Sequence, residues 1–430
     1  MRFRDGFFWQ KWRQRRDDFL LRQLLVPRKA SIMKNLPENQ VSSRSWFNRN
    51  VIGMGVASFL SDLGHEMATA ILPAFLISLG ASPSVLGTIE GIADGISSFV
   101  KLGAGWYSDR IGKRKGIAIL GYTLTGLAKA SFALATSWIH ILIGRSVGWF
   151  GRGIRSPVRD ALLAESVSPS VYGKAFGFHR GMDTAGAVLG PLVAFLLISY
   201  ITHRQIFLLT LIPGLLSAVV FAFWVKEKPR EPNHSLRFWK SYHALPKEFK
   251  QFLIGVGIFG IGDFAHTLLI LRAVEILKPE YGVRAESLAI LLYVFHNVLY
   301  ALVSFPIGAL SDRMGRMWLL GFGYFLSGVM GMGLMFVTGS IGYLVIIFIL
   351  GGIYIAIEDA LEGAIAADLL PQELRGTGYG VLATVNGVGD FFSSLIVGFL
   401  WTYASPIYAF GYAAGMSLLG SIFILNLKRE

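Results

Sequence analysis

The chain of 430 residues has no cysteine, which excludes disulfide bonds and thiolate metal sites. Charge is also scarce: 16% of the residues are Asp, Glu, Lys or Arg, whereas 53% are hydrophobic, and the mean hydropathy is +0.54. A water-soluble domain of this size does not carry such a balance without aggregating, so the sequence reads as a membrane chain. No G-x-S-x-G turn, Walker sequence or nucleotide-binding loop occurs, so neither an enzyme nor a primary pump is expected. Neither H-x-x-H nor H-x-x-x-H occurs, so no metal site and no cofactor are expected. No apolar core of secretory length follows the basic start, and no cleaved signal is expected.

What the sequence has in abundance is apolar length. Crossing a hydrocarbon core of roughly 30 Å takes about 20 residues. Windows of that size place twelve helical spans near 50–79, 84–107, 116–136, 138–160, 171–200, 206–225, 249–277, 286–310, 317–337, 340–366, 374–402 and 405–427. One set of connections holds Arg110, Lys113, Arg114, Lys115, Lys174, Lys226, Lys228, Arg313, Arg316 and Arg375, whereas Gly80 to Ser84, Thr136 to Trp138, Thr338 to Gly342 and Tyr403 to Pro406 carry no charge. Cytoplasmic loops retain Lys and Arg, so both termini are expected in the cytoplasm of a multi-pass plasma-membrane protein, the inner membrane if the host is bacterial.

The net charge of +13 raises the question of nucleic acid, but its distribution points elsewhere. Residues 1–50 hold twelve Lys or Arg against four Asp or Glu. Within residues 1–46, Lys11, Arg13, Arg15, Arg16 and Arg22 alternate with Phe7, Phe8, Trp9, Trp12, Phe19 and Leu20. This suits a helix lying on anionic lipid headgroups, with a plain basic tail as the alternative. No nucleic-acid partner is expected, and the chain is expected to be monomeric.

Residues 226–248 are rich in charge and proline and have no apolar span, so they divide the chain into 47–225 and 249–430. The two parts repeat each other. The run Gly105-Trp106-Tyr107-Ser108-Asp109-Arg110-Ile111-Gly112-Lys113-Arg114 returns as Gly308-Ala309-Leu310-Ser311-Asp312-Arg313-Met314-Gly315-Arg316, and Asp62 and His65 answer to Asp263 and His266. Such repetition predicts an all-α membrane protein of twelve transmembrane helices in two pseudo-symmetric six-helix bundles.

These residues resemble the major facilitator superfamily over roughly 47–427. Its signature G-x-x-x-D-R-x-G-R-K is matched by Gly105, Asp109, Arg110, Gly112, Lys113 and Arg114, with Lys for the usual Arg, and a weaker copy stands in Gly308, Asp312, Arg313, Gly315 and Arg316. The antiporter-associated G-x-x-x-G-P of the fifth span is met by Gly186, Gly190 and Pro191, while the fourth-span R-x-x-x-G is only partial: Arg145 fits, but Gly148 and Gly151 straddle the glycine position. The resemblance implies that the two turns are latches, docking on the opposite half when the cytoplasmic side is shut. A plain basic loop is the simpler reading.

Charges inside the spans carry the rest. Arg145, Arg152, Arg155 and Arg159 fall within an arc of roughly 80° on one side of the fourth span. Facing lipid, a central arginine costs roughly 2.5–3.5 kcal/mol, so these must face protein or water. The repeat aligns Arg155 with Glu358 and Arg159 with Glu362, which suggests an ion-pair gate between the halves near the cytoplasmic side, closed in the outward-facing state and broken in the inward-facing one, or, alternatively, static salt bridges. Asp62, His65 and Glu66 share one face of the first span. A carboxylate sheltered beside another takes up a proton more readily, and histidine titrates near neutrality, so the three are candidates for proton coupling, unless a fourth-span arginine neutralises Asp62 or Glu66. Glu90, Asp94, Arg145, Arg152, Arg180, Asp263, His266, His296, Asn297, Asn386 and Asp390 are candidates to line a solute cavity. The expected activity is proton-coupled secondary transport of a polar or charged small solute by alternating access, by export through antiport. Proton-linked import of a polar metabolite or metal chelate and a non-transporting ligand sensor are the alternatives.

The absence of native cysteine makes the orientation directly measurable. In intact cells, single cysteines replacing Ala81 or Ala404 are expected to react with an impermeant maleimide, and one replacing Lys228 only after permeabilisation. The reverse pattern overturns the orientation.

Overall fold

The computed structural model describes residues 46–111, 113–167, 172–228, 242–336, 340–371 and 374–427. Among these every regular element is helical. The helices are α1 Arg49–Ser78, α2 Pro83–Ile111, α3 Lys115–Ser131, α4 Trp138–Glu165, α5 Tyr172–Leu197, α6 His203–Leu209 and α7 Leu211–Trp224. They are followed by α8 Lys247–Gly260, α9 His266–Tyr281, α10 Ala285–Met314, α11 Arg316–Met335, α12 Ile341–Leu369, α13 Arg375–Tyr403 and α14 Pro406–Asn426. Eight helical stretches of the described residues are long and apolar enough to cross a membrane. The stretches outside that set include α1, α2 and α4, which bear many of the buried charges. The amphipathic tail expected over 1–46 lies outside the described residues except for Trp46.

Two expected spans are each divided. Thr210 separates α6 from α7, three residues before Pro213, whose ring nitrogen has no hydrogen to continue the ladder. The seventh span is interrupted more deeply at Ile261–Ala265, between α8 and α9. Glycines at 255, 257, 260 and 262 weaken the helix here, and Asp263 closes the last turn through its backbone N–H to Gly260 O at 3.1 Å. Beyond the break, Ala265 N donates to Ser394 Oγ of α13 at 3.1 Å. Unwound backbone at such depth persists only where protein or water satisfies it.

The helices pack in two sets. In the first, α1 lies between α5 and α7, while α4 packs on α2 and α3. In the second, α14 joins α8, α11 and α13, and α12 joins α10 and α11. The sets meet where α2 packs on α13, α5 on α10, and α1 on α9. Small residues permit these approaches. A Cβ on Gly186 would come within 2.6 Å of Phe59 O, and one on Gly190 within 2.7 Å of Leu63 O, so the Gly-x-x-x-Gly-Pro run seats α5 directly on α1. Between the sets, a Cβ on Gly87 would lie 2.1 Å from Ser394 O.

On the side of the uncharged turns the two sets are joined. Ser84 N donates to Thr402 Oγ1 at 2.8 Å, and His203 Nε2 lies 2.6 Å from Glu286 Oε1. The charged turns on the other side are tied within their own sets at the residues described. Arg114 meets Glu165 at 2.5 Å and its backbone N–H donates to Glu227 at 2.6 Å, while Arg316 meets Asp368 at 2.6 Å. Gly315 adopts φ +93°, a conformation that glycine alone takes readily. Lys113 is exposed. Gly112, and the surroundings of Gly105, Asp109, Arg110, Asp312 and Arg313, lie outside what is described, while Gly308 has open space about it.

Gly87→Ala is expected to force α2 and α13 apart at a cost of about 1–3 kcal/mol. The readouts are a lower melting temperature in detergent and faster labelling of a cysteine placed at Ser84. Gly415→Ala, at a position where nothing lies within 4 Å, should leave both unchanged.

Candidate functional site

A cavity of about 320 Å³ lies where the two sets face each other. From the first set it is lined by His65, Glu66 and Thr69 of α1, Glu90 and Asp94 of α2, and Arg145, Trp149 and Arg152 of α4. From the second it is lined by Asp263 to Thr267 around the unwound segment, Tyr293 of α10, Ile355, Glu358 and Asp359 of α12, and Asn386 and Asp390 of α13.

The best-formed interaction on its wall is the pair Arg145–Glu90. Arg145 donates from Nε and Nη2 to the same oxygen, Glu90 Oε2, at 3.0 and 2.8 Å, and from Nη1 to Thr69 Oγ1 at 3.3 Å. Arg145 is 2% and Glu90 1% exposed, so neither has bulk water as a substitute partner. Glu90 Oε1 has no hydrogen-bond partner. The Trp149 ring lies between two cations, with Arg145 Cζ at 5.4 Å and Arg152 Cζ at 5.2 Å from its centroid, close enough for its π face to contribute.

Asp62 stands behind the cavity. It lies 3.6 Å from Arg152 Nη2 and 3.4 Å from Arg155 Nη2, and Arg155 also bonds Ser61 Oγ and covers the Tyr122 ring at 4.3 Å. Its charge is therefore matched by α4. Glu66, one turn further along α1, accepts from Tyr293 Oη of α10 at 3.0 Å, so this carboxylate bonds across the two sets. His65 Nε2 is 3.8 Å from Glu66 Oε1, while its Nδ1 has no partner.

The gate pairs Arg155–Glu358 and Arg159–Glu362 are apart in this arrangement, whose joined side is that of the uncharged turns; the expected gate closes only in the opposite state. Arg159 bonds Asp160 at 3.0 Å and Ser58 at 2.9 Å, and Glu362 accepts from Tyr324 at 2.5 Å and Asn386 at 2.6 Å. In this arrangement α1 offers Ser58, Ser61 and Asp62 to the face of α4 that bears the arginines. Arg180, His296 and Asn297 do not line the cavity. His296 lies against His266, with ring centroids 5.1 Å apart, and Asn297 donates to Ala187 O of α5 at 3.0 Å, a further bond between the sets.

Sequence reasoning missed several participants. Lys129 of α3 is 2% exposed, its Nζ has no hydrogen-bond partner, and it lies 5.6 Å from the Phe132 ring and 6.0 Å from that of Trp149. It is the single charge in the span expected over 116–136, and an isolated ionisable residue in such a span is itself a functional signal. Tyrosine was missed for a different reason: hydropathy counts its ring and overlooks its hydroxyl. Tyr293, Tyr354 and Tyr300 donate to Glu66, Asp263 and Asp359 at 3.0, 2.9 and 2.6 Å.

The comparisons with known proteins agree with this architecture. The family model for the Major Facilitator Superfamily matches residues 54–274 and 252–430. The chain belongs to this superfamily. An uncharacterized MFS-type transporter of Methanocaldococcus jannaschii is 34% identical over 394 residues, covering 91% of this chain and 98% of that protein. The quinolone resistance protein NorA of Staphylococcus aureus is 23% identical over 391 residues, covering 89% of this chain and 97% of NorA. Among solved structures, the nucleoside transporter NupG superposes with a TM-score of 0.72 at 12% identity, covering 89% of this chain and all of that one. This facilitator-superfamily chain is thus a multi-pass membrane protein of a transporter family, and the cavity lies at the interface of its two sets of helices.

Removing one partner of a buried ion pair costs about 3–5 kcal/mol because the other charge stays uncompensated. Glu90→Gln and Arg145→Met are each expected to lower the melting temperature sharply, and the double variant to recover much of the loss. Additive losses in that double-mutant cycle would show that the pair is not coupled.

Proposed function

We propose that the protein is a proton-coupled secondary transporter that moves a polar or charged small solute by alternating access, in the direction of export. The observation that carries this reading is the bond from Tyr293 to Glu66 across the cavity. A carboxylate that holds the two sets together in its ionised form loosens them when it takes up a proton, because the neutral acid is a weaker acceptor. Glu66 is therefore placed ahead of Asp62, whose charge is matched by Arg152 and Arg155, and of His65.

Several features support this mechanism. The bonds Ser84–Thr402 and His203–Glu286 close the side of the uncharged turns, which the charge distribution assigns to the exterior. In the opposite state these contacts open, and the basic turns dock across the halves. The cavity is lined by seven carboxylates and two guanidinium groups, a wall suited to a hydrophilic solute. Export is favoured by the Gly186, Gly190 and Pro191 run and by the similarity to NorA, whose name records quinolone resistance. On this reading both termini are cytoplasmic and the partners are the solute, protons and membrane lipid.

In proteoliposomes carrying an imposed pH gradient, a screen of charged solutes should find one whose flux follows the gradient. Loss of a hydrogen bond to an ionised group costs about 1.5–3 kcal/mol, so Glu66→Gln is expected to cut gradient-driven flux more than about tenfold. It should leave solute exchange at equal pH measurable. Driven flux that survives Glu66→Gln removes this residue from the coupling step, and flux indifferent to the gradient in the unaltered protein rejects proton coupling altogether.

A further inference from the structure

The two walls of the cavity differ in charge balance. The first set lines it with Glu66, Glu90 and Asp94 together with Arg145 and Arg152, so acids and bases are interleaved. The second set lines it with Asp263, Glu358, Asp359 and Asp390 and contributes no lysine or arginine. The charges that act most strongly on Glu358 are those of Asp263, Glu362, Asp359 and Asp390. Those that act most strongly on Asp390 are Asp94, Asp263 and Glu362, opposed by Lys101, which comes from the facing set.

Some of these carboxylates already have partners. Asp359 accepts from Tyr300 and is opposed by Arg180, and Glu362 accepts from Tyr324 and Asn386. Glu358 Oε2 has no hydrogen-bond partner, and Asp263 accepts through Oδ1 from Tyr354. Across the cavity, Glu90 is 1% and His65 4% exposed, yet Glu90 Oε1 and His65 Nδ1 have no partner. These residues line the cavity, and polar atoms this deeply buried normally bond something.

The geometry points to a solute with a protonated amine, whose ammonium group is held by Asp263, Glu358 and Asp390, with Glu90 on the opposite wall. This rests on the transport reading and adds the chemical class. An ammonium brings three N–H donors and a positive charge, which fits three acidic side chains that repel one another and have no base beside them on their own wall. Among the described residues no three His, Asp or Glu side chains are set to hold a metal ion, so an organic cation fits better than a bare one. The volume of about 320 Å³ suits a compact molecule, and a polar lining gives little to a large apolar cation. Binding the amine offsets the mutual repulsion of the acids, so occupancy and proton uptake are alternative ways of neutralising one wall.

The test uses the full-length protein in proteoliposomes with a pH gradient and three labelled probes: putrescine, succinate and uridine. Putrescine is expected to move with the gradient, beyond protein-free vesicles, and the other two not. Glu358→Gln and Asp390→Asn are each expected to reduce putrescine flux more than about tenfold, the ordinary effect of losing a charge-assisted contact, with partial recovery in Glu358→Asp. Putrescine should also raise the melting temperature of the detergent-solubilised protein and fail to do so in Glu358→Gln, which separates lost binding from lost folding. Driven flux of succinate or uridine without putrescine overturns the amine assignment and leaves transport standing. Putrescine flux untouched by both substitutions overturns the site, and absence of driven flux for all three probes counts against both readings.

Discussion

The structure is governed by the cost of an ionised side chain in hydrocarbon. Every arginine placed by α4 at the depth of the bilayer needs an acceptor within reach, and the first set supplies them from two neighbouring helices. Glu90 of α2 takes Arg145, while Ser58, Ser61 and Asp62 of α1 take Arg155 and Arg159. These contacts do more than offset desolvation. They fix the rotation of α1, α2 and α4 about their axes, because a helix turned by one residue would carry its charge away from its partner. The cavity wall inherits that rotation, and Glu66 reaches Tyr293 because Asp62, one turn earlier, is anchored to α4.

Close packing of small residues supplies the other half of the arrangement. Gly186 and Gly190 let α5 lie against the backbone of α1, and Gly87 does the same for α2 against α13. Where side chains are absent the helices touch through backbone, and the interface has little to interlock. Contacts of this kind hold by proximity and a few hydrogen bonds, such as Asn297 to Ala187 O and Ser84 N to Thr402. Gly186 and Gly190 close an interface inside the first set, whereas Gly87 closes one between the two sets.

Much of this was legible in the sequence because apolar length, charge position and repetition are local properties. The helix limits fall within a few residues of those read from hydropathy, and the arginine face of α4 follows from spacing alone. What spacing does not contain is the register of one helix against another. The repeat alignment paired Arg155 with Glu358, but an alignment does not say which acceptors stand nearest in a given arrangement, and here α1 supplies them. The break before α9 was hidden because a hydropathy window averages over Gly260, Gly262 and Asp263. The glycines and the lone carboxylate were visible, but their combined effect on the backbone is a tertiary matter, settled by Ser394 receiving the freed N–H of Ala265. Lys129 was legible and overlooked, whereas the tyrosine hydroxyls were concealed by their own rings.

That break gives the seventh span a property its neighbours lack. A continuous rod passes any torque along its whole length, whereas α8 and α9 meet at five residues with no helical ladder to resist twisting. Asp263 lies within this soft joint and on the cavity wall at once. Whatever neutralises its charge therefore acts at this joint, with α9 packed on α1 on one side of it and α8 packed on α13 and α14 on the other.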